Sequence, residues 1–340
     1  MKKSELQQLA EHYRDFIGEA VRCGSAHTVK NHKVAMKLYL RYLEQVCKVK
    51  QGDFSVSHFD EPVISKYLDW LCDVNGCKAQ TCNVRLASIR AFLKYAARKD
   101  ASLLWLYAKA SAIRLRKDLN PKVVNPLSQD AVSALVKAAG TDTVSGLKYS
   151  TLMVFLYTTA TRLDEVLSIK VGELHMEQTP AHVTVIGKGR VSRTLFLPEK
   201  LLKYLRKYIA MQHGNRPDPD ALLFYSKHKG DRVKQSEEGV NKQLRKYAAI
   251  AHASCDEVPL DLHSHQFRHS AATHALENNM SVFQISKMLG HKSVTTTMAY
   301  LGITPKIREN AVRKIESGLQ VCESPIWKGK TSALQAAFGL

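Results

Sequence analysis

Residues 289 to 304, LGHKSVTTTMAYLGIT, place His291 nine positions before Tyr300. Three further segments of the same half concentrate groups able to meet a phosphate. TATRLDEVLSI sets Arg162 one helical turn before Glu165, and IGKGR offers Lys188. HSHQFRHSAATH gathers His263, His265, Arg268, His269 and His274 at a helix start. Each has an ordinary explanation when taken alone: a surface ion pair, a solvated lysine at a turn, a few polar histidines, a half-buried tyrosine.

Taken together they suit one reaction, phosphoryl transfer by a side-chain nucleophile. A phosphodiester gains charge on its non-bridging oxygens as it becomes five-coordinate, and guanidinium forks neutralise that charge with paired hydrogen bonds. A tyrosine hydroxyl, with an ordinary pKa of about 10, needs cationic surroundings or a base to attack at neutral pH. The leaving alkoxide needs a proton, which a lysine or histidine can supply. The histidine cluster lacks a His-Glu-x-x-His pair, and Cys72, Cys77 and Cys82 are spaced too widely for a CxxC site. No clustered carboxylate pair invites magnesium. The expected site therefore uses no metal and no cofactor.

The elements that must position these groups fall into two sets. From residue 4 to 99 the apolar residues recur at helical spacing in four segments, 4–22, 25–46, 60–74 and 79–99, with a short fifth over Leu103–Ala112. On the second segment Val34, Leu38, Tyr42 and Val46 mark one expected face. The pattern stops in RLRKDLNPKVVNPLSQ, where Pro121 and Pro126 mark a linker. Ser128 then caps a helix over 129–139, and the apolar run 149–169 predicts another. HVTVIGKGRVSRTLFLP predicts a β-hairpin with Lys188 at its tip, and a strand near Val171–Leu174 completes a small sheet. After Pro198 the pattern is helical to about residue 317. SALQAAF, 332–338, forms a short amphipathic segment near the end.

Charge names the partner class. Fifty Lys+Arg against 31 Asp+Glu give +19, and the excess is shared: residues 1–118 hold 21 and 12, a net of +9, and the remaining 29 and 19 give +10. Two basic units gripping one polyanion explain this better than a basic tail on a neutral enzyme. No run reaches membrane-span length, and MKKSELQQLAEHYRDF carries charge too early for an export segment. The seven cysteines read as core filler in a reducing cytoplasm.

These motifs resemble the tyrosine recombinases, also called the phage integrase family, in order and spacing over residues 128–310. TTATRLDEVLSIK is similar to the family's first arginine motif, with Arg162 as clamp arginine and Glu165 as its acidic companion. VIGKGR matches the hairpin lysine at Lys188, and HQFRHSAATH the His-x-x-Arg-His box with His265, Arg268 and His269. LGHKSVTTTMAY matches the final box, with His291 and the nucleophile Tyr300. One position departs: the glycine usual two residues before the first arginine is Ala160.

The resemblance implies a mostly α chain, with a helical core-type DNA-binding domain (1–118), a linker (119–127) and a mixed α+β catalytic domain with a small antiparallel sheet (128–318). A tail (319–340) would dock on a neighbouring protomer. It implies a site-specific DNA recombinase working as a homotetramer on two duplexes through a 3′-phosphotyrosyl intermediate and a Holliday junction, in element integration, transposition or dimer resolution. Arg162 and Arg268 would hold the phosphate with help from His291. Lys188 would protonate the leaving oxygen, His265 would relay the tyrosine proton, and His269 would support. The partner is double-stranded DNA, the place the cytoplasmic nucleoid, with no membrane. Two alternatives use the same charge: a type IB topoisomerase-like relaxing enzyme and a non-catalytic DNA-binding factor.

Overall fold

Short polar residues start the first helices. Ser4 accepts from the Gln7 N–H while Gln7 reaches back to the Ser4 N–H, and Ser25 accepts from Thr28. The computed structural model describes residues 4–117, 125–187, 192–291 and 293–298, and the chain divides into two units, Met1–Val123 and Val124–Leu340.

The described part of the first unit is helical: α1 (Glu5–Cys23), α2 (Ala26–Gln45), α3 (Glu61–Asp73), α4 (Ala79–Lys99) and α5 (Leu104–Ala112), with three short 3₁₀ turns. Its core is aromatic. Tyr39 meets Tyr67 edge-on at 4.9 Å, and Phe59 lies 4.9 Å from Tyr39 and 5.9 Å from Phe92. The buried stripe of α2 is Ala35, Met36, Tyr39, Tyr42 and Leu43. It is rotated from the expected face, because Tyr39 is the ring that fills the centre, and Val46 is left exposed.

The second unit is mixed. Helices α6 (Gln129–Ala139), α7 (Val144–Thr159) and α8 (Leu163–Leu167) lead into a three-stranded antiparallel sheet of β1 (Leu174–His175), β2 (His182–Ile186) and β3 (Ser192–Phe196). Then come α9 (Glu199–His213), a hairpin of β4 (Tyr225–His228) and β5 (Asp231–Lys234), and helices α10 (Glu237–His252), α11 (Ser264–Glu277), α12 (Val282–Leu289) and α13 (Val294–Met298). Helix α7 is buried on nearly every side and forms the middle of the core, with Leu147, Leu152, Met153, Phe155 and Leu156 fully enclosed. Leu127, placed in the expected linker, belongs to this core: it is 2% exposed, and its N–H donates to Ser270 Oγ at 2.7 Å.

Three further expectations are corrected. The apolar run 149–169 is two helices, because Ala160 adopts a left-handed conformation (φ 51°, ψ 27°) and ends α7. Val171–Glu173 is a 3₁₀ turn, and the third strand is the two-residue β1, pairing Leu174 with Val183 and His175 with His182. The stretch after Pro198 is not all helix. Lys229 and Gly230 both have positive φ (49° and 93°) and close the tight β4–β5 hairpin. Among the described residues no helix is long and apolar enough to cross a membrane.

Candidate active site

The break at Ala160 builds the first part of the site. Once α7 has ended, the chain restarts with Arg162 as the N-cap of α8 and Glu165 three residues on. The Arg162 N–H donates to Glu165 Oε2 and its Nη1 to Oε1, each at 3.1 Å. Glu165 is no surface partner: its side chain is 5% exposed, whereas Arg162 remains 35% exposed. A buried carboxylate needs further donors, and Arg193 on β3 supplies them. Arg193 donates through Nη2 to Oε2 at 2.7 Å and through Nη1 to Oε1 at 3.1 Å. Burial alone would raise the Glu165 carboxyl; the bonds and charge of Arg193, then those of Arg162, outweigh it and hold the group below its ordinary range.

Arg268, on α11, is 1% exposed and among the largest fully buried side chains. Its Nη1 donates to the Ala160 carbonyl and its Nη2 to the Leu289 carbonyl, both at 2.6 Å. These carbonyls lie at the C-terminal ends of α7 and α12, where negative partial charge gathers. The same Nη2 lies 3.0 Å from His291 Nε2, and His291 Nδ1 lies 2.8 Å from Thr297 Oγ1. Gly290, in the left-handed region at φ 64°, caps α12 and turns the chain into His291.

Both histidines are depressed. Burial, then the charges of Arg268, Arg162 and Arg193 and the ring of His265, push His291 down to about 4. His265 is pushed to about 4 by partial burial and by Arg268, His263, His269 and Arg162. His265 is exposed, so the guanidinium charges of Arg268 and Arg162 weigh more on this ring than burial does. At neutral pH both imidazoles are uncharged. A cleft of about 290 Å³ lies beside His265, lined in part by Arg162, His263 and His265 itself.

The structure thus brings Arg162, Glu165, His265, Arg268 and His291 into one electrostatic neighbourhood. His269 is half-buried next to Arg268, and its carbonyl accepts from Thr273 Oγ1 at 3.1 Å. His274 is drawn away to structure, its Nδ1 2.7 Å from the Tyr157 hydroxyl. His263 begins α11, its N–H donating to Gln266. Lys188, Tyr300 and the tail 319–340 lie outside the described residues. Among the described residues no group of three or more His, Cys, Asp or Glu side chains could hold a metal ion.

Two contributors escaped the motif reading. Arg193 announces itself only as a charge two residues from Leu195, on the inward side of a strand. Thr297, fully buried, is one threonine in a run of three.

The phage integrase family model matches residues 125–306, and the model of the phage integrase N-terminal SAM-like domain matches residues 14–100. The chain belongs to the phage integrase family, the tyrosine recombinases: DNA-binding enzymes of site-specific recombination. It is 29% identical over 295 residues to the putative integrase/recombinase y4rC of Sinorhizobium fredii, covering 86% of each chain. It is 26% identical over 302 residues to the tyrosine recombinase XerD of Staphylococcus epidermidis, covering 88% of this chain and 95% of that one.

In fold it resembles the XerH site-specific recombinase bound to palindromic difH substrate (TM-score 0.67, 16% identity, 88% of this chain and 82% of that one). It also resembles the Tn1549 transposon integrase in complex with transposon right end DNA (TM-score 0.66, 17% identity, 91% and 98%). The mostly α first unit and the mixed second unit with small antiparallel sheets are this fold.

Proposed function

We propose that the chain cuts and rejoins DNA at specific sites, with Tyr300 as nucleophile. The Tyr300 hydroxyl oxygen attacks the scissile phosphorus, the bond to the 5′-oxygen breaks, and a 3′-phosphotyrosyl link remains. The tyrosine proton passes to neutral His265, and Lys188 gives a proton to the departing 5′-oxygen. Arg162 and Arg268 hold the non-bridging oxygens, with His291 beside them. Attack by a 5′-hydroxyl from the partner strand reverses the step. The link conserves the bond energy, so no ATP is consumed. Four protomers would hold two duplexes through a Holliday junction, working in the cytoplasm on nucleoid DNA.

The observation that supports this reading most is the contrast between the two arginines. Arg268 is locked among carbonyls as a buried charge, while Arg162 is held by Glu165 yet stays partly exposed at the edge of a cleft shared with His265. Such an arrangement favours an incoming anion at a fixed place.

A nicked suicide substrate on a denaturing gel tests it. Wild-type protein is expected to form a covalent protein–DNA adduct, and Tyr300→Phe to bind the site but form none, because phosphate contacts elsewhere carry affinity. An adduct surviving in Tyr300→Phe rules out that nucleophile. Relaxation of supercoils without site preference would favour the topoisomerase-like alternative.

A further inference from the structure

Glu165 has four hydrogen-bonding positions on its two oxygens, and all four are filled. Oε1 accepts from Arg162 Nη1 and Arg193 Nη1, and Oε2 from the Arg162 N–H and Arg193 Nη2. The fork-to-fork pairing that arginine prefers is made by Arg193, which is 13% exposed. Arg162 is left a single side-chain bond and keeps its outward aspect.

Arg193 touches a second part of the site. A Cβ added to Gly290 would meet Arg193 Nη1 at 2.9 Å, Cδ at 3.1 Å and Cζ at 3.3 Å. The Arg193 side chain therefore packs directly against the residue preceding His291. Strand β3 reaches through this one side chain both to α8 and to the end of α12.

We propose that Arg193 is a positioning residue of the active site. By filling half of the Glu165 carboxylate it keeps Arg162 from folding inward into a full pair, and by lying on Gly290 it fixes the turn that carries His291. This rests on the recombinase reading above. Remove Arg193, and a buried carboxylate with two vacant positions draws the Arg162 fork onto itself, away from phosphate.

The test is single-turnover cleavage of a suicide substrate at saturating protein, read as both rate constant and final adduct yield, with half-site affinity and thermal stability measured alongside. Arg193→Met is expected to slow the rate constant on the order of 10²-fold, the penalty of a misplaced clamp, with yield and affinity nearly unchanged. Arg193→Lys should recover part of the rate, since lysine supplies charge without the fork. The decisive variant combines Arg193→Met with Glu165→Gln. A neutral amide no longer draws Arg162 in, so the double variant should be about tenfold faster than Arg193→Met alone, a strongly non-additive result.

Thermal stability should fall on either account, because a buried carboxylate loses its main partner. If Arg193 is only a strut, the loss falls on yield, the rate constant of the folded fraction stays at the wild-type value and Glu165→Gln changes nothing in it; that outcome overturns the assignment. Wild-type rates in Arg193→Met overturn it too. Absence of any adduct from wild-type protein instead sinks the recombinase reading, and this assignment with it.

Discussion

Arg268 Nη2 stands 3.0 Å from His291 Nε2, and a guanidinium has no lone pair to accept with. The imidazole nitrogen must be the acceptor, so the ring's proton sits on Nδ1 and points to Thr297 Oγ1 at 2.8 Å. One contact fixes both the charge state and the tautomer of His291.

In the DNA-free protein, nitrogen NMR should find His291 as the Nδ1–H tautomer, with both His291 and His265 titrating near 4. A bound phosphate or DNA backbone brings negative charge, favours the imidazolium and should raise both values. Titration of His291 near the ordinary value of about 6.5 contradicts the geometry.

Stability should depend on acid in a defined sense. The folded pKa values of His265 and His291 lie below that of an unfolded histidine, about 6.5, so between there and about 4 the unfolded chain binds more protons. Stability is full above that window and falls as pH drops through it. His32 and His213, both depressed chiefly by burial, act in the same direction. Glu165, lowered despite its burial, adds a further loss at more acidic pH. Melting curves from pH 7 to 4 should show the decline, and His265→Gln should flatten it; a flat wild-type profile refutes the account.

Ala160 is the third case. Its left-handed conformation costs an ordinary residue about 1–2 kcal/mol. Ala160→Gly removes that strain but gives up a buried methyl worth about 0.8 kcal/mol and adds about 0.4–1 kcal/mol of unfolded-chain entropy. The terms nearly cancel, and Ala160→Gly should change stability by less than about 1 kcal/mol. Ala160→Val adds branching at positive φ in a site with no exposure, and should cost about 3 kcal/mol or more. Denaturant titration of the two variants checks the contrast.

The two clamp arginines should part ways when removed. Arg268→Ala strips two charge-assisted bonds from buried carbonyls, each worth about 1.5–3 kcal/mol, so the protein should lose about 3 kcal/mol or more. Arg162→Ala removes a partly exposed group while Arg193 keeps Glu165 paired, and should cost less than about 1 kcal/mol. Its cleavage rate should nonetheless fall about 10²–10³-fold. Parallel unfolding and cleavage measurements separate the two, and equal stability losses would refute the distinction.

Lys188→Ala tests the proposed acid. Cleavage should slow strongly on an ordinary substrate, and much less when sulfur replaces the leaving 5′-oxygen, because a thiolate departs without a proton. No rescue by sulfur would move the role to His265.

Much of this was legible in the sequence, because motif chemistry and helical period are local properties. Arg162, His265, Arg268 and His291 could be named from their neighbours, and the β2–β3 hairpin from its flanking apolar runs. What escaped depends on partners distant in the chain. Arg193 finds Glu165 across 28 positions, and Arg268 finds Ala160 across 108. The break in α7 was hidden because alanine is the strongest helix former, yet here it takes the turn that glycine would take without strain. The β4–β5 hairpin leaves no pattern in the sequence, because β5 is exposed at every position and has no alternation. The apolar residues of α2 mark two overlapping stripes, and only packing chooses between them.

The deep burial of Arg268 has an evolutionary side. A side chain that ties the ends of two helices is kept by selection for folding, whether or not the protein still reacts with DNA. A descendant that lost its nucleophile would retain this arginine for as long as it remained folded. Arg268 is therefore a poor witness to activity among decayed copies of such a gene. A side chain whose loss leaves the fold standing, as expected for Arg162, is the one whose disappearance would record that the chemistry had been abandoned.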